Sequence, residues 1–152
     1  MKENNYIKFI LLLIFVVITI ASTLLISEQQ NSNAIQKSKF AQELKVYYEN
    51  NIIDSAIEND IYLNKPILKI HNGRWDDQAF NHYIGFFETL NDYVDAGSLN
   101  YRDVFDEYSD DVLRAYENKE VYNYIIELRK QEHSNAFYEK FEKLALRFKK
   151  DN

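Results

Sequence analysis

The feature that most constrains this chain is an uncharged stretch near its amino terminus. Phe9 to Ile26 reads FILLLIFVVITIASTLLI, eighteen consecutive residues in which only two threonines and one serine are polar. An α-helix rises about 1.5 Å per residue, so residues 7–26 would cover roughly 30 Å, the thickness of the hydrocarbon core of a bilayer. A helix also satisfies its own backbone hydrogen bonds in lipid. The stretch therefore predicts a transmembrane helix at residues 7–26, preceded by a leader at residues 1–6.

A cleaved signal peptide is the alternative interpretation of the first 26 residues. The apolar stretch is longer than the usual core of a signal peptide, which favours a retained anchor. Lys2 and Lys8 precede the stretch directly, whereas the first positive charges after it are Lys37 and Lys39. The positive-inside rule then favours a cytoplasmic amino terminus and a domain outside the cytoplasm. We expect a single-pass protein of the cell membrane whose first partner is the lipid bilayer.

The composition of the whole chain excludes several classes of protein. The formal net charge is −6 at pH 7, which argues against a nucleic-acid partner because such proteins need a basic face. The absence of cysteine excludes disulfides, thiolate nucleophiles and thiolate metal sites. An aromatic content of 15% with three glycines and one proline argues against disorder. We predict a polar tether at residues 27–33 and one compact domain at residues 34–152.

The pattern of this domain is helical throughout and predicts an all-α bundle of about four to six helices. One bent helix or two short helices fit the chain on either side of Asn50–Asn51, and the segment from Tyr62 to Trp75 is the least helical part. Asp76 or Asp77 can cap a helix that ends at Gly97. We expect its buried face to comprise Phe80, Tyr83, Ile84, Phe87, Leu90 and Val94, widened by Phe86 and Tyr93.

The second half of the domain predicts three further helical segments. Asn100 is a suitable cap for the first, which we expect to be interrupted at Ser109–Asp111, and a turn follows at Asn118–Lys119. Ser134 or Asn135 is expected to begin the last helix. Four of its apolar residues recur at spacings of four, three and four, so this stripe must face a core or a partner, and self-association through it is one alternative. The stripe comprises Phe137, Phe141, Leu144 and Phe148.

No motif in the chain predicts a cofactor, a metal or a catalytic residue. Neither a glycine-rich phosphate loop nor a zinc-peptidase histidine pair occurs. A helix could bring Asp77 within reach of His82 for a metal site with His71, but surface or capping roles explain these residues without a metal. The acidic run from Asp103 to Asp111 lacks the spacing of a calcium loop and is typical of a solvated helix face.

Glu88 is the most informative acidic residue because it follows Phe86–Phe87 on the most apolar helix. A carboxylate there would be partly desolvated and would need a positively charged partner. We expect a structural ion pair that fixes the register of two helices. The candidate partners are Arg74, Arg102, Arg114 and Arg129.

From Asn81 to Ala145 the order of features resembles an uncharacterised family of small bacterial and phage proteins. The residues that carry the resemblance are Phe86-Phe87-Glu88-Thr89-Leu90, Gly97, Asp103-Val104-Phe105, Tyr116-Glu117, Arg129 and Phe137-Tyr138-Glu139-Lys140-Phe141-Glu142-Lys143-Leu144. The resemblance implies a membrane segment followed by an all-helical domain, with Glu88 and Arg129 as recurring polar positions. It implies no established activity.

The function expected from these observations is contact with an unknown protein partner, in a regulatory, sensory or phage-related accessory role. Twelve tyrosines offer amphipathic contact area for such a surface. The alternative is a membrane-tethered hydrolase that uses carboxylates, for which Glu88 and an acid from Asp103 to Asp111 are the candidates. That alternative requires a concave site that holds both groups.

Overall fold

The computed structural model describes the backbone of residues 2–152 and the side chains of residues 15–152. Over the described backbone the chain forms six α-helices and no β-strand, which confirms the all-α fold class. The chain divides into two compact units, Met1–Lys39 and Phe40–Asn152. The helices are α1 (Lys2–Asn50), α2 (Ile52–Tyr62), α3 (Asp77–Asp95), α4 (Tyr101–Glu117), α5 (Lys119–Gln131) and α6 (Glu139–Asp151).

Helix α1 continues through residues 27–33, where we expected a polar tether without regular structure. This expectation is corrected, since SEQQNSN contains no glycine or proline and its Glu and Gln residues are good helix formers. No helix is both long enough and apolar enough to cross a membrane in the part of the chain searched, which is the described part. The predicted span at residues 7–26 begins outside it, because the side chains before Phe15 are not described.

The unit from Phe40 to Asn152 is built around α3. Helix α6 packs against α3 and α4, and α2 packs against the same two helices. The predicted face of α3 is buried as expected, with Val94 and Tyr93 only partly covered. The side chains of this helix that are completely inaccessible to solvent are Phe80, Tyr83, Ile84, Phe87 and Leu90.

Side-chain caps begin four of these helices, and two of the caps were predicted. The side-chain oxygen of Asp76 accepts a hydrogen bond from the Ala79 amide at 3.0 Å, and Asn100 caps α4 in the same way. Asn118, at the predicted turn, caps α5: its side-chain oxygen accepts from the amides of Glu120 and Val121. Gly97 has a φ of +70°, the left-handed conformation that ends a helix.

The loop between α2 and α3 depends on Gly73. Its amide donates to the Leu68 carbonyl at 2.8 Å, and a Cβ atom at this position would lie 2.2 Å from the carbonyl carbon of Ile67. The Trp75 amide closes the same loop by donating to the Ile67 carbonyl at 3.0 Å. The segment is the least helical part of the domain, as predicted, since between α2 and α3 it contains only a short 3₁₀ helix, Lys69–His71.

Two helix boundaries differ from the expectation. Helix α4 is not interrupted at Ser109–Asp111, because Tyr108 and Val112 on either side are both buried on one continuous face. Helix α6 begins at Glu139 rather than at Ser134 or Asn135. Tyr138 precedes it with a φ of +58°, a conformation that an ordinary helix start does not use.

The apolar stripe of α6 lies in the core of the domain. Phe141, Leu144 and Phe148 are completely buried, whereas Phe137 precedes the helix and is 38% exposed. The interpretation of the stripe as an interaction surface is therefore corrected for the three buried residues. Their contacts are with α3 and α4 of the same chain, which supply the apolar partner that the pattern required.

A candidate binding groove around His82

His82, on α3, lies between a buried carboxylate and a tyrosine hydroxyl. Its Nδ1 atom is 3.2 Å from Oδ1 of Asp54, a residue of α2 that is completely inaccessible to solvent. Its Nε2 atom is 3.4 Å from the hydroxyl oxygen of Tyr47, near the end of α1. The imidazole itself is 48% exposed. Three helices thus contribute one group each to a connected row of polar side chains.

The two contacts of His82 are consistent with one tautomer of its ring. A carboxylate oxygen can only accept, so Nδ1 of His82 carries a hydrogen, and in the neutral ring Nε2 accepts from Tyr47. Burial raises the pKa of Asp54, while the hydrogen bond and the charge of His82 oppose that rise. Oδ2 of Asp54 has no hydrogen-bond partner among the described residues. Asp54 therefore fixes the orientation of the imidazole and leaves its outer edge accessible.

Two clefts meet at His82. The first has a volume of about 440 Å³ and is walled by apolar groups of Leu44, Phe86 and Tyr93, with Tyr47 at its edge. The second has a volume of about 600 Å³, and its walls include Ile53, Trp75 and Ala79. Since His82 lines both, we treat them as one surface and call it the His82 groove. It combines apolar walls with one oriented polar group, which is the usual composition of a binding site.

The second cleft has a rigid side made by Arg74 and Trp75. Asp60 is 3% exposed and accepts from Nε of Arg74 at 2.7 Å and from Nε1 of Trp75 at 2.9 Å. The guanidinium of Arg74 also stacks over the indole, 4.7 Å from the ring centre. A single buried carboxylate therefore holds both side chains in place at the edge of the groove.

Glu88 does not pair with an arginine in this structure. Its carboxylate lies at the start of α6, near the backbone amides of Lys140 and Phe141. Burial raises the pKa of Glu88, and the two amides and the charge of Lys140 oppose the rise. The expected role in fixing the register of two helices remains reasonable, but the partner is a helix terminus instead of a guanidinium.

The predicted arginine partners contact other groups. Arg129 donates from Nη2 to Glu142 at 2.8 Å and from Nε to the Phe137 carbonyl at 2.8 Å, which joins α5 to the turn before α6. Arg114 lies over the ring of Tyr62, 4.8 Å from its centre. Arg102 pairs with Asp106 one helical turn away.

The residues of the metal site and of the hydrolase that we considered are not brought together. Nδ1 of His71 is 2.9 Å from Glu120, whereas His82 contacts Asp54. Among the described residues no group of three or more histidine, cysteine, aspartate or glutamate side chains could hold a metal ion. Asp111 lines a small cleft beside Glu58, and Glu88 is not among the residues that line it. The geometry thus gives no support to a carboxylate pair made of Glu88 and Asp111.

Sequence reasoning missed Asp54 and Tyr47. A usable signal exists for Asp54. It lies three positions before Ile57 and seven before Ile61, which places it on the apolar face of α2. A carboxylate at such a position must be buried and needs a donor. No local pattern identifies His82 as that donor, because 28 residues separate the two.

Comparison with known proteins gives one finding on ancestry. The chain has no significant match among the curated proteins or the solved structures. A family model does match, over residues 11–148, and this range includes the groove and nearly all of the described chain. The family is described as a domain of unknown function, in agreement with the resemblance to an uncharacterised family. The chain belongs to the DUF4760 family.

Proposed function

We propose that this chain is a single-pass membrane protein whose helical domain binds a protein partner in the His82 groove. The observation that carries the proposal is the exposed apolar surface beside an oriented imidazole. Tyr47 and Ile53 line the groove and are 54% and 45% exposed, although both are large apolar side chains. Apolar surface of this kind next to a fixed polar group is typical of protein interaction sites.

The membrane anchor is supported by the surface of α1. Phe15, Val17, Leu24 and Leu25 are each at least 60% exposed, so this part of the helix presents apolar side chains outward. The hydroxyls in the same stretch donate to backbone carbonyls one turn earlier, for example Thr19 to Phe15 at 2.8 Å. A hydroxyl that is hydrogen-bonded within the helix keeps this bond in hydrocarbon and does not need water as a partner.

The groove suits a short apolar segment of a partner better than a charged one. Its basic residues are already neutralised, since Arg74 pairs with Asp60 and Lys69 with Asp76. Apolar anchors of the segment would occupy the two clefts, and one polar donor would replace the Tyr47 hydroxyl, which lies 3.4 Å from Nε2 of His82. The outward-facing edge of the imidazole is the only part of the groove to which we assign directional specificity.

Photo-crosslinking in intact cells tests the groove. The full chain would carry p-benzoylphenylalanine in place of Tyr47 or, as a matched control, in place of Tyr122, which is 53% exposed on α5 and does not line the groove. We expect a discrete protein adduct from position 47 alone. Gly85→Leu should abolish this adduct. Gly85 lines the first cleft and a Cβ there meets no atom within 4 Å, so the leucine side chain fits without a clash and fills the space that the partner would occupy.

Two outcomes of this experiment would overturn the proposed groove. Identical adducts from positions 47 and 122 would mean that the crosslinks report random collisions. A position-47 adduct that consists of two copies of this chain would mean that the groove serves self-association and does not bind a different protein. In either case the membrane anchor would still stand on its own test.

Cysteine accessibility tests the anchor and its orientation, since the chain has no cysteine of its own. Ser32→Cys and Asn152→Cys would be labelled in intact cells with a membrane-impermeant maleimide. We propose a domain outside the cytoplasm, so both positions should react before lysis and the chain should stay in the membrane fraction after alkaline extraction. Labelling only after lysis would reverse the orientation, and extraction by alkali would refute the anchor.

A further inference from the structure

A third cleft, separate from the two clefts of the His82 groove, lies between the end of α1, α2 and α4. Its volume is about 230 Å³, and none of its residues lines the groove. Four carboxylates line it but only one ammonium group, that of Lys45. The acids are Glu49, Glu58, Glu107 and Asp111. Two tyrosines, Tyr48 and Tyr108, complete the wall with Ser55.

The mouth of this cleft already binds an ammonium group. Nζ of Lys45 is 2.7 Å from a carboxylate oxygen of Glu107 and 3.8 Å from one of Glu49. These side chains are exposed, so their pairs are open to solvent. The outer part of the cleft is thus neutralised by a group of the chain itself.

The inner part of the cleft has no such cation. Asp111 and Glu58 line this part together, and two neighbouring carboxylates in a partly buried cleft favour holding one proton between them. Burial and the neighbouring Glu58 raise the pKa of Asp111 to about 7, and the only opposing charge is that of Arg114. A site in which two acids hold one proton between them favours any cation that can replace that proton.

An unsatisfied hydroxyl in the same wall points independently to a ligand. Tyr108 is 6% exposed, and its hydroxyl has no hydrogen-bond partner within the described part of the chain. Burial and the charges of Glu107, Glu49 and Asp111 raise the pKa of this hydroxyl, so it stays a neutral donor and acceptor. A buried hydroxyl without a partner is costly, and a bound donor would satisfy it.

The chemistry of the cleft matches an ammonium group better than a metal ion. An ammonium has three N–H donors, and Glu58, Asp111 and Tyr108 offer three acceptors. The rings of Tyr48 and Tyr108 pack edge to face with centres 5.7 Å apart, and tyrosine faces attract organic cations. Calcium would need six or more oxygen ligands, and none of the described clusters could hold a metal.

We propose that this cleft binds the primary ammonium group of a small organic cation, which replaces the proton shared by Glu58 and Asp111 and hydrogen-bonds with Tyr108. The volume of the cleft is below the range of drug-sized pockets, so the ligand is short. A free aliphatic diamine and the lysine side chain of a partner present the same group. The second ammonium of the diamine would compete with Lys45 for the carboxylate of Glu107.

Titration calorimetry of the full chain in neutral detergent at pH 6, below the pKa of Asp111, tests this proposal. The probes are 1,4-diaminobutane and Nα-acetyl-lysine amide, with tetramethylammonium as a cation that has no N–H donor. We expect one saturable site for the first two and none for the third. Repeating the titration in buffers of different ionisation enthalpy should show that protons are released on binding. Tighter binding of the diamine would identify a free amine as the ligand, and equal or tighter binding of the lysine derivative a partner side chain.

Variants separate the site from general attraction to an acidic protein. Asp111→Asn and Glu58→Gln should each weaken binding about tenfold, because each removes a charged acceptor. Tyr108→Phe keeps the ring and should weaken binding severalfold. The matched control is Asp103→Asn, an exposed acid on the same helix, which should bind like the parent chain.

Several results would overturn the proposal. These are the absence of saturable binding to either amine, equal binding of tetramethylammonium, an equal loss with Asp103→Asn and Asp111→Asn, or saturable binding of Mg²⁺ or Ca²⁺ in place of the amines. Both Asn and Gln keep the shape of the acid that they replace, and thermal unfolding of each variant will verify that it is folded. If one of the pair is unfolded, the other decides the outcome.

Discussion

The carboxylate of Glu88 on α3 faces the backbone amide of Lys140, in the first turn of α6, and this amide lowers the pKa of the carboxyl group against the effect of burial. The Phe141 amide acts on the same carboxylate in the same direction. These are the second and third residues of α6, whose amides have no partner within the helix. Tyr138, directly before the helix, makes no side-chain cap. Glu88 therefore does from another helix what an N-cap residue normally does locally.

Glu88→Ala should destabilise the domain by about 1 kcal/mol, the usual cost of losing a helix cap. Glu88→Gln should cost less, because an amide oxygen can still act as an acceptor toward one of the two amides. Urea unfolding of the full chain in detergent, followed by circular dichroism, would measure both. Glu127→Ala is the control, since Glu127 is an exposed residue of α5, and a loss of equal size there would contradict the assignment.

The two leucines of α6 should respond very differently to truncation. Leu144 is completely buried and Leu146, two residues later, is 54% exposed. Leu144→Ala removes packing and leaves a cavity, so we expect a loss of about 2–5 kcal/mol. Leu146→Ala should change the stability by less than about 0.5 kcal/mol. Similar midpoints of urea unfolding for the two variants would show that the stripe of α6 is not in the core.

Local signals in the sequence were sufficient for α3 and insufficient for α6. Asp76 and Gly97 mark the ends of α3, because a cap and a left-handed glycine act within a few residues. The start of α6 depends instead on Tyr138, whose hydroxyl donates to the side-chain oxygen of Asn81 on α3. The same oxygen accepts from Tyr124 at 2.7 Å. These contacts cross more than forty residues and leave no local pattern.

The same distinction applies to the candidate sites. Glu88 was recognised as a partly desolvated acid from its apolar neighbours, but its partner was not, since the amides of another helix carry no sequence signal. The break expected at Ser109–Asp111 rested on local polarity, whereas burial of Val112 beyond it keeps α4 continuous. The pairing of Asp54 with His82 likewise depends on how α2 packs against α3.

Glu120 on α5 holds the loop that precedes α3. Its two carboxylate oxygens accept from the amides of Ile67 and Leu68 at 2.8 and 2.9 Å, and one of them also contacts His71. Glu120→Ala leaves both amides without an acceptor, so their hydrogen exchange should accelerate at least about tenfold, corresponding to about 1.4 kcal/mol. Exchange detected by NMR or mass spectrometry would measure this, with Glu132→Ala, an exposed acid, as control. Unchanged protection would mean that the loop is held by its own backbone contacts alone.

Two glycines at helix positions should respond in opposite directions to alanine. Gly85 lies within α3, where a Cβ meets no atom within 4 Å, so Gly85→Ala should stabilise the domain by about 0.5–1 kcal/mol. Gly97 has a positive φ, and Gly97→Ala should destabilise it by about 1 kcal/mol. Thermal unfolding of the two variants would verify the pair. Destabilisation by both would mean that the His82 groove is not open at Gly85.

The stability of the domain should depend on pH through Asp111. Its pKa in the folded state is about 7, above the ordinary aspartate value of 3.8, because burial and the adjacent Glu58 and Asp110 outweigh the charge of Arg114. Between these values the folded chain holds more protons than the unfolded chain, so the free energy of unfolding falls as the pH rises. Asp111→Asn removes this contribution. The free energy of unfolding of the variant, relative to that of the parent chain at the same pH, should therefore rise by about 1 kcal/mol from pH 5 to pH 8. This figure allows for partial solvent screening. Asp103→Asn should follow the parent at every pH, and a parallel shift of the Asp111→Asn curve would show that the two carboxylates do not share a proton.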